Sequence, residues 1–122
     1  MTIEERKVLA RSYLGKTVHI SIDRPIGYVH SKGNYDLVYP INYGYIPGVL
    51  GGDGEEMDVY LLGVDFPVKE FDTHIIAIVH RENDVEDKLV GVPEGMTFTA
   101  EEIAAAVHFQ EQYYSSYIET LT

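Results

Sequence analysis

Between Val18 and Ile22, His19 and Ser21 separate three aliphatic residues, and this two-residue period predicts a strand. Leu37 to Tyr39 reads as a second, short strand ahead of Pro40. The apolar run within Met57 to Val64 predicts a strand covered on both faces, ended by Phe66-Pro67. Thr73 to His80 predicts another strand, and Leu89 to Val92 a short one stopped by Pro93. A helical period appears at the two ends. Thr2 to Leu14 opens on a capping box of Thr2 and Glu5, and Gly15 can close it. Thr99 to Leu121 predicts one long helix, with a Thr99 and Glu102 capping box and a stripe of Ile103, Val107, Tyr114, Ile118 and Leu121. Asp23 to Gly27 reads as a turn or loop, and Tyr39 to Gly52 as an irregular segment rich in tyrosine and glycine. Short strands with glycine turns and a closing helix predict a small closed or partly open barrel with helices against it. The fold class is mainly β with flanking helices.

The 122 residues suit a single domain, 1–122, with one core. A net charge of −11 disfavours nucleic acid and anionic membrane as partners, and any anionic substrate must bring cations or meet a local basic patch. Cysteine is absent, which removes disulfides and thiolate metal sites. The segment Met1 to Lys7 mixes charges of both signs, unlike a secretory signal, and no apolar run reaches membrane-spanning length. The expected location is the cytoplasm.

The densest chemistry is Asp53-Gly54-Glu55-Glu56-Met57-Asp58, four carboxylates between a glycine-rich turn and an apolar run. Carboxylates so close together repel, so they either spread into water or gather a hard divalent cation. A second cluster, Asp84-Val85-Glu86-Asp87-Lys88, is a polar turn by composition, but a barrel could bring both clusters to one mouth. Lys88 would then neutralise carboxylates or reach a phosphate oxygen. In Tyr39-Pro40-Ile41-Asn42-Tyr43-Gly44-Tyr45, the reading for Tyr39 and Tyr45 is core packing, while Tyr43 could point a hydroxyl into a site. The five histidines have no ligand spacing.

The Tyr39 to Ile46 segment followed by Asp53 to Val59 resembles the soluble family I inorganic pyrophosphatases, whose signature Asp-x-Asp-Pro-x-Asp follows a Tyr-Pro-x-Asn-Tyr-Gly-Tyr stretch. Asp87 to Pro93, and His108-Phe109 with Tyr113, agree in the same order, so the resemblance covers about Val18 to Tyr114. It implies a five-stranded barrel of the oligonucleotide/oligosaccharide-binding type and hydrolysis of pyrophosphate with several magnesium ions, manganese being an alternative ion. It also implies a homo-oligomer. Carried over by position, Asp53 and Asp58 correspond to metal ligands, and Glu55 to the aspartate that orients the attacking water. Lys88 matches a phosphate-binding lysine. Glu86 matches a metal-binding aspartate by spacing, with Asp87 a competing register, and Asp84 is the candidate for the other. Tyr43 and Tyr113 match tyrosines around the phosphate.

The departures are concentrated among the cations. Glu55 and Glu56 replace the middle aspartate and the proline of the signature. Tyr114 stands where a phosphate-gripping lysine is usual, and Ser21 where the first strand carries a glutamate. The early hairpin is shortened, leaving Arg24, His30 and Lys32 as substitutes unmatched by motif, and Arg81 as an unassigned cation. Two other functions fit the same residues: hydrolysis of another small phosphoanhydride or phosphate ester, or a catalytically silent barrel that binds phosphate or metal.

Overall fold

The computed structural model describes every residue except Asp53, Val85 and Thr122. Along the chain run α1 (Ile3–Arg11), β1 (Thr17–Arg24), β2 (Val29–Ser31), β3 (Asp36–Val38), β4 (Asn42–Leu50), β5 (Glu56–Leu61), β6 (Glu70–Arg81), β7 (Lys88–Val92), α2 (Ala100–Glu111) and β8 (Ser116–Thr120). Five strands pair in the order β1-β4-β5-β7-β6, and β6 returns to β1, which closes the barrel. Only β5 and β7 run parallel within it. β2 and β3 form a separate hairpin, and β8 adds to the free edge of β6.

Strand alternation sorts the core into two layers. Ile20, Ile46, Met57, Val59, Leu61, Ile75, Ile78 and Leu89 come from all five barrel strands and fill the interior, with Ala10 of α1 beside them. Tyr43, Tyr60, Ala77, Val79, Val90 and Val92 lie on the opposite face of four of those strands, under Ile103 and Val107 of α2. A shift of register between Ile75 and Ala77 changes the phase of β6, so that Ala77 and Val79 face the layer opposite Ile75. Gly44 is where β1 crosses β4 most closely, because a Cβ there would stand 1.9 Å from the Ser21 carbonyl oxygen.

Both capping boxes form as the sequence indicates, with Thr2 and Glu5 opening α1 and Thr99 and Glu102 opening α2. The long C-terminal helix does not. α2 stops at Glu111, and Ser116–Thr120 pairs antiparallel with Ala77–Arg81. The reason is tertiary: the exposed edge of the 12-residue β6 offers unpaired backbone groups, and a strand satisfies them where a further helical turn would not. The tyrosine-rich segment conceals β4, since Pro47, Gly44 and Gly48 mask its alternation. Among the described residues, no helix is long and apolar enough to cross a membrane.

Candidate functional site

The candidate site lies on the helix-covered outer face of the barrel, rather than at the end of its interior. Asp58 shares that face with Tyr60 on β5, and Lys88 shares it with Val90 on β7, by the two-residue period of each strand. Tyr43 lies opposite Tyr60 on the neighbouring β4. The Lys88 ammonium donates to Asp58 Oδ2 at 2.8 Å, to Glu86 Oε1 at 2.6 Å and to the Tyr43 hydroxyl oxygen at 2.7 Å. Those three contacts use all of its donors, and its side chain is only 2% exposed. A buried ammonium is costly, and two carboxylates within 3 Å are what hold its charge. Burial, and then the Asp58 carboxylate, raise the Tyr43 pKa well above its usual value, so the phenol keeps its proton.

Arg81, at the end of β6, repeats this arrangement. Its Nη2 donates to Glu111 Oε2 at 2.7 Å and its Nη1 to Asp84 Oδ2 at 2.9 Å, with Glu86 Oε1 at 3.4 Å. The guanidinium stacks on the Tyr114 ring, 3.6 Å from its centroid. Burial opposes its charge, yet the carboxylates, Glu111 foremost, hold its pKa above the ordinary value. Glu111 also accepts the Tyr60 hydroxyl at 2.6 Å.

A cavity of about 310 Å³ opens in front of these groups. One wall carries Glu55, Asp58, Glu86, Lys88 and Arg81. The other carries Arg24, His30 and Lys32, from the end of β1 and the β2–β3 hairpin. Arg24 lies against the rings of Tyr28, Tyr39 and Tyr43 at 5.6, 5.5 and 5.8 Å. It donates to the Tyr39 hydroxyl and to His30 Nδ1, the latter at 3.1 Å. Desolvation, then Arg24 and Lys32, lower the His30 pKa, which favours the neutral ring that accepts this bond. Among the described residues, no ion pair joins Arg24 or Lys32 to a carboxylate.

The structure thus brings Tyr43, Glu55, Asp58, Glu86 and Lys88 to one cavity. Asp84 stands beside it, through Arg81. Asp87 and Tyr113 are not brought in. The Asp87 carboxylate, 1% exposed, accepts from Arg6 Nε at 3.2 Å and from the Arg81 N–H at 3.1 Å, and lies 3.3 Å from His80 Nδ1. Burial alone would raise its pKa, but His80, the Arg81 N–H and Arg6 lower it. Tyr113 is 48% exposed and packs on Tyr35 and Lys32, while its neighbour Tyr114 lines the cavity. Asp53 lies outside the described residues. Asn42 of the tyrosine motif ties loops together instead, accepting from the Ile26 N–H at 3.1 Å and donating to the Phe66 carbonyl at 3.0 Å.

Sequence reasoning missed Glu111 and Gln110, and left Arg81 without a role. Gln110 accepts the Tyr39 hydroxyl at 2.6 Å. Their signal is the helical stripe itself: after Ile103 and Val107, the next inward positions are Gln110, Glu111 and Tyr114, polar residues on an otherwise apolar face. Asp23 was also passed over. It sits at the β1 bulge opposite Gly44 and Tyr43, in the field of Asp58 and Lys88, and partial burial raises its pKa.

Among the described residues, no three histidine, aspartate or glutamate side chains converge into a closed metal cage. Asp58 and Glu86 do converge on a single cationic nitrogen, and their side chains remain 26% and 18% exposed. An all-oxygen, partly hydrated pair of this kind suits a hard divalent cation that keeps several waters.

The inorganic pyrophosphatase family model matches residues 15–119. An inorganic pyrophosphatase of Saccharolobus solfataricus is 37% identical over 65 residues, covering 50% of this chain and 38% of that relative. One from Methanosarcina acetivorans is 34% identical over 62 residues, covering 48% and 37%. The chain thus spans less than two-fifths of the length of these curated relatives in the matched part. Among solved structures, the inorganic pyrophosphatase of Ehrlichia chaffeensis aligns with a TM-score of 0.65 at 20% identity, over 88% of this chain and 87% of that one. The enzyme of Helicobacter pylori aligns at 0.60 and 16% identity, over 89% and 84%. These similarities are of fold.

Proposed function

This chain belongs to the inorganic pyrophosphatase family, and from that premise we propose that it hydrolyses pyrophosphate to two phosphates with magnesium. The observation that carries the proposal is the cavity with two unlike walls, one where carboxylates hold Lys88 and Arg81 and one whose cations, Arg24 and Lys32, have no carboxylate partner among the described residues. Asp58 and Glu86 would hold the metal, assisted by Asp53 and Asp84, and manganese is expected to substitute. Bound magnesium neutralises phosphoryl oxygens and acidifies water. Glu55, which lines the cavity, would accept a hydrogen bond from the attacking water. Arg24 and Lys32 would hold the phosphate oxygens, and Lys88 would join them once a metal engages Asp58 and Glu86. Tyr43, protonated, keeps Lys88 oriented toward Asp58.

The direct test is phosphate release from pyrophosphate by the purified chain, with magnesium and with a chelator. Release that stops with the chelator is the expected result. A folded protein that releases none would refute the proposal.

One observation favours a second substrate class. The position usual for a gripping lysine is Tyr114, and its ring is occupied by Arg81. A cavity of about 310 Å³ with its free cations on one side could instead favour tripolyphosphate or a phosphate ester. Rates on pyrophosphate, tripolyphosphate and a nucleotide, measured side by side, separate these readings.

A further inference from the structure

The turn after β6 carries Asp84 and Glu86 and leads into Lys88, and one residue of α1 grips it from outside the cavity. Arg6 is 7% exposed. Its Nη2 donates to the Arg81 carbonyl at 2.9 Å, its Nη1 to the Asp84 carbonyl at 2.7 Å, and its Nε to Asp87 Oδ2 at 3.2 Å. One planar guanidinium therefore reads three acceptors of a single turn, and its fork fixes their mutual positions as an ammonium could not. The remaining Asp87 oxygen accepts the Arg81 N–H, which closes the turn from the other side. Arg6 does not line the cavity. A second arginine of the same helix offers a contrast: Arg11, with its side chain 48% exposed, pairs among the described residues with Glu119 alone, at 3.0 Å.

We propose that Arg6 is a positioning residue for the candidate site, acting through the turn to set Glu86 and Lys88 without touching substrate. Its effect on turnover rests on the proposed function, whereas its grip on the turn is measurable without it. Lys88 meets both Asp58 and Glu86 within ordinary hydrogen-bond distance, so a small displacement of the turn separates the carboxylates that converge on it.

The test uses the full chain with Arg6→Met, Arg6→Lys and Arg11→Met, each first shown to be folded by circular dichroism. Two readings follow: amide hydrogen exchange at Arg81 and Lys88, and phosphate release as a function of magnesium concentration. Arg6→Met should speed exchange at both amides at least tenfold while Ile103 and Val107 in α2 keep the parent rate. It should also lower kcat at least tenfold and raise the half-saturating magnesium several-fold, a shift that general loss of stability does not produce. Arg6→Lys should recover less than half of either loss, and Arg11→Met should match the parent. Parent-like exchange, or kcat and half-saturating magnesium within twofold of the parent, in a folded Arg6→Met overturns the proposal. If Arg6→Met does not fold, Arg6→Lys is judged by the same readings. If the parent releases no phosphate, the proposed function fails and the exchange reading alone decides whether Arg6 holds the turn.

Discussion

Lys88 and Arg81 on one wall of the cavity, and Arg24 and Lys32 on the other, are all cations facing the same space, but their surroundings differ. Lys88 and Arg81 are each held by carboxylates. Arg24 is held by three tyrosine rings and a histidine nitrogen, and Lys32 lies against Tyr113. The first pair balances a dense negative wall and has little charge to offer an anion until those carboxylates hold another cation. The second pair lies against aromatic faces, and among the described residues neither cation is ion-paired to a carboxylate. In a chain of net charge −11, the hairpin side therefore offers an anion cations not already held in carboxylate ion pairs among the described residues.

The sharpest way to break this contrast is Asp58→Asn. It removes a charge from the negative wall and should lower magnesium-dependent phosphate release by roughly a thousandfold with the fold intact. Activity within a few-fold of the parent would end the assignment of Asp58 as a metal ligand. Asp87→Asn tests the scaffold beneath the same wall. Loss of a buried charged partner of Arg6 should cost about 2 kcal/mol at pH 7, read by urea unfolding. The folded-state pKa of Asp87 is lowered, so its contribution is present above the unfolded value near ~3.9 and is lost as pH falls through the lower folded one. The stability gap between parent and variant should accordingly stay constant from neutral pH to about 5 and close below about 4. A gap that persists at low pH would mean that Asp87 acts by packing alone.

Arg24→Met addresses the opposite wall. Removing one charge-assisted contact to phosphate should raise KM for pyrophosphate about tenfold and change kcat less. An unchanged KM would return the anion to Lys88 and Arg81 and erase the distinction between the walls. The smallest effect belongs to Asp65→Asn. Asp65 is exposed and apart from both walls, so phosphate release should stay within the error of the assay. A large loss there would show that net charge, rather than position, governs activity.

Much of this was legible along the chain. The two capping boxes and the apolar runs of β5 to β7 each depend on neighbours in sequence, and each formed where the residues indicated. Tyr43, Asp58, Glu86 and Lys88 were recognisable as candidates because their motifs are local. The C-terminal segment was not legible. Tyr114, Ile118 and Leu121 keep a helical spacing, yet Ser116–Thr120 became a strand because β6 presents an unpaired edge that no local pattern announces. The choice between Glu86 and Asp87 was equally hidden, since both carboxylates fit the spacing. Arg6 and the Arg81 N–H, far apart in sequence, draw Asp87 inward, while Glu86 turns to Lys88.

By itself, then, the sequence determined where carboxylates and tyrosines cluster along the chain and which segments could be helix or strand, because charge, capping and periodicity are properties of neighbouring positions. Tertiary structure alone decided which carboxylate meets which cation, where α2 ends and which cations remain without carboxylate partners. Those outcomes depend on contacts between β1, β4, β6, β7 and the two helices, and on burial that makes an unpaired charge or backbone group too costly to leave unsatisfied.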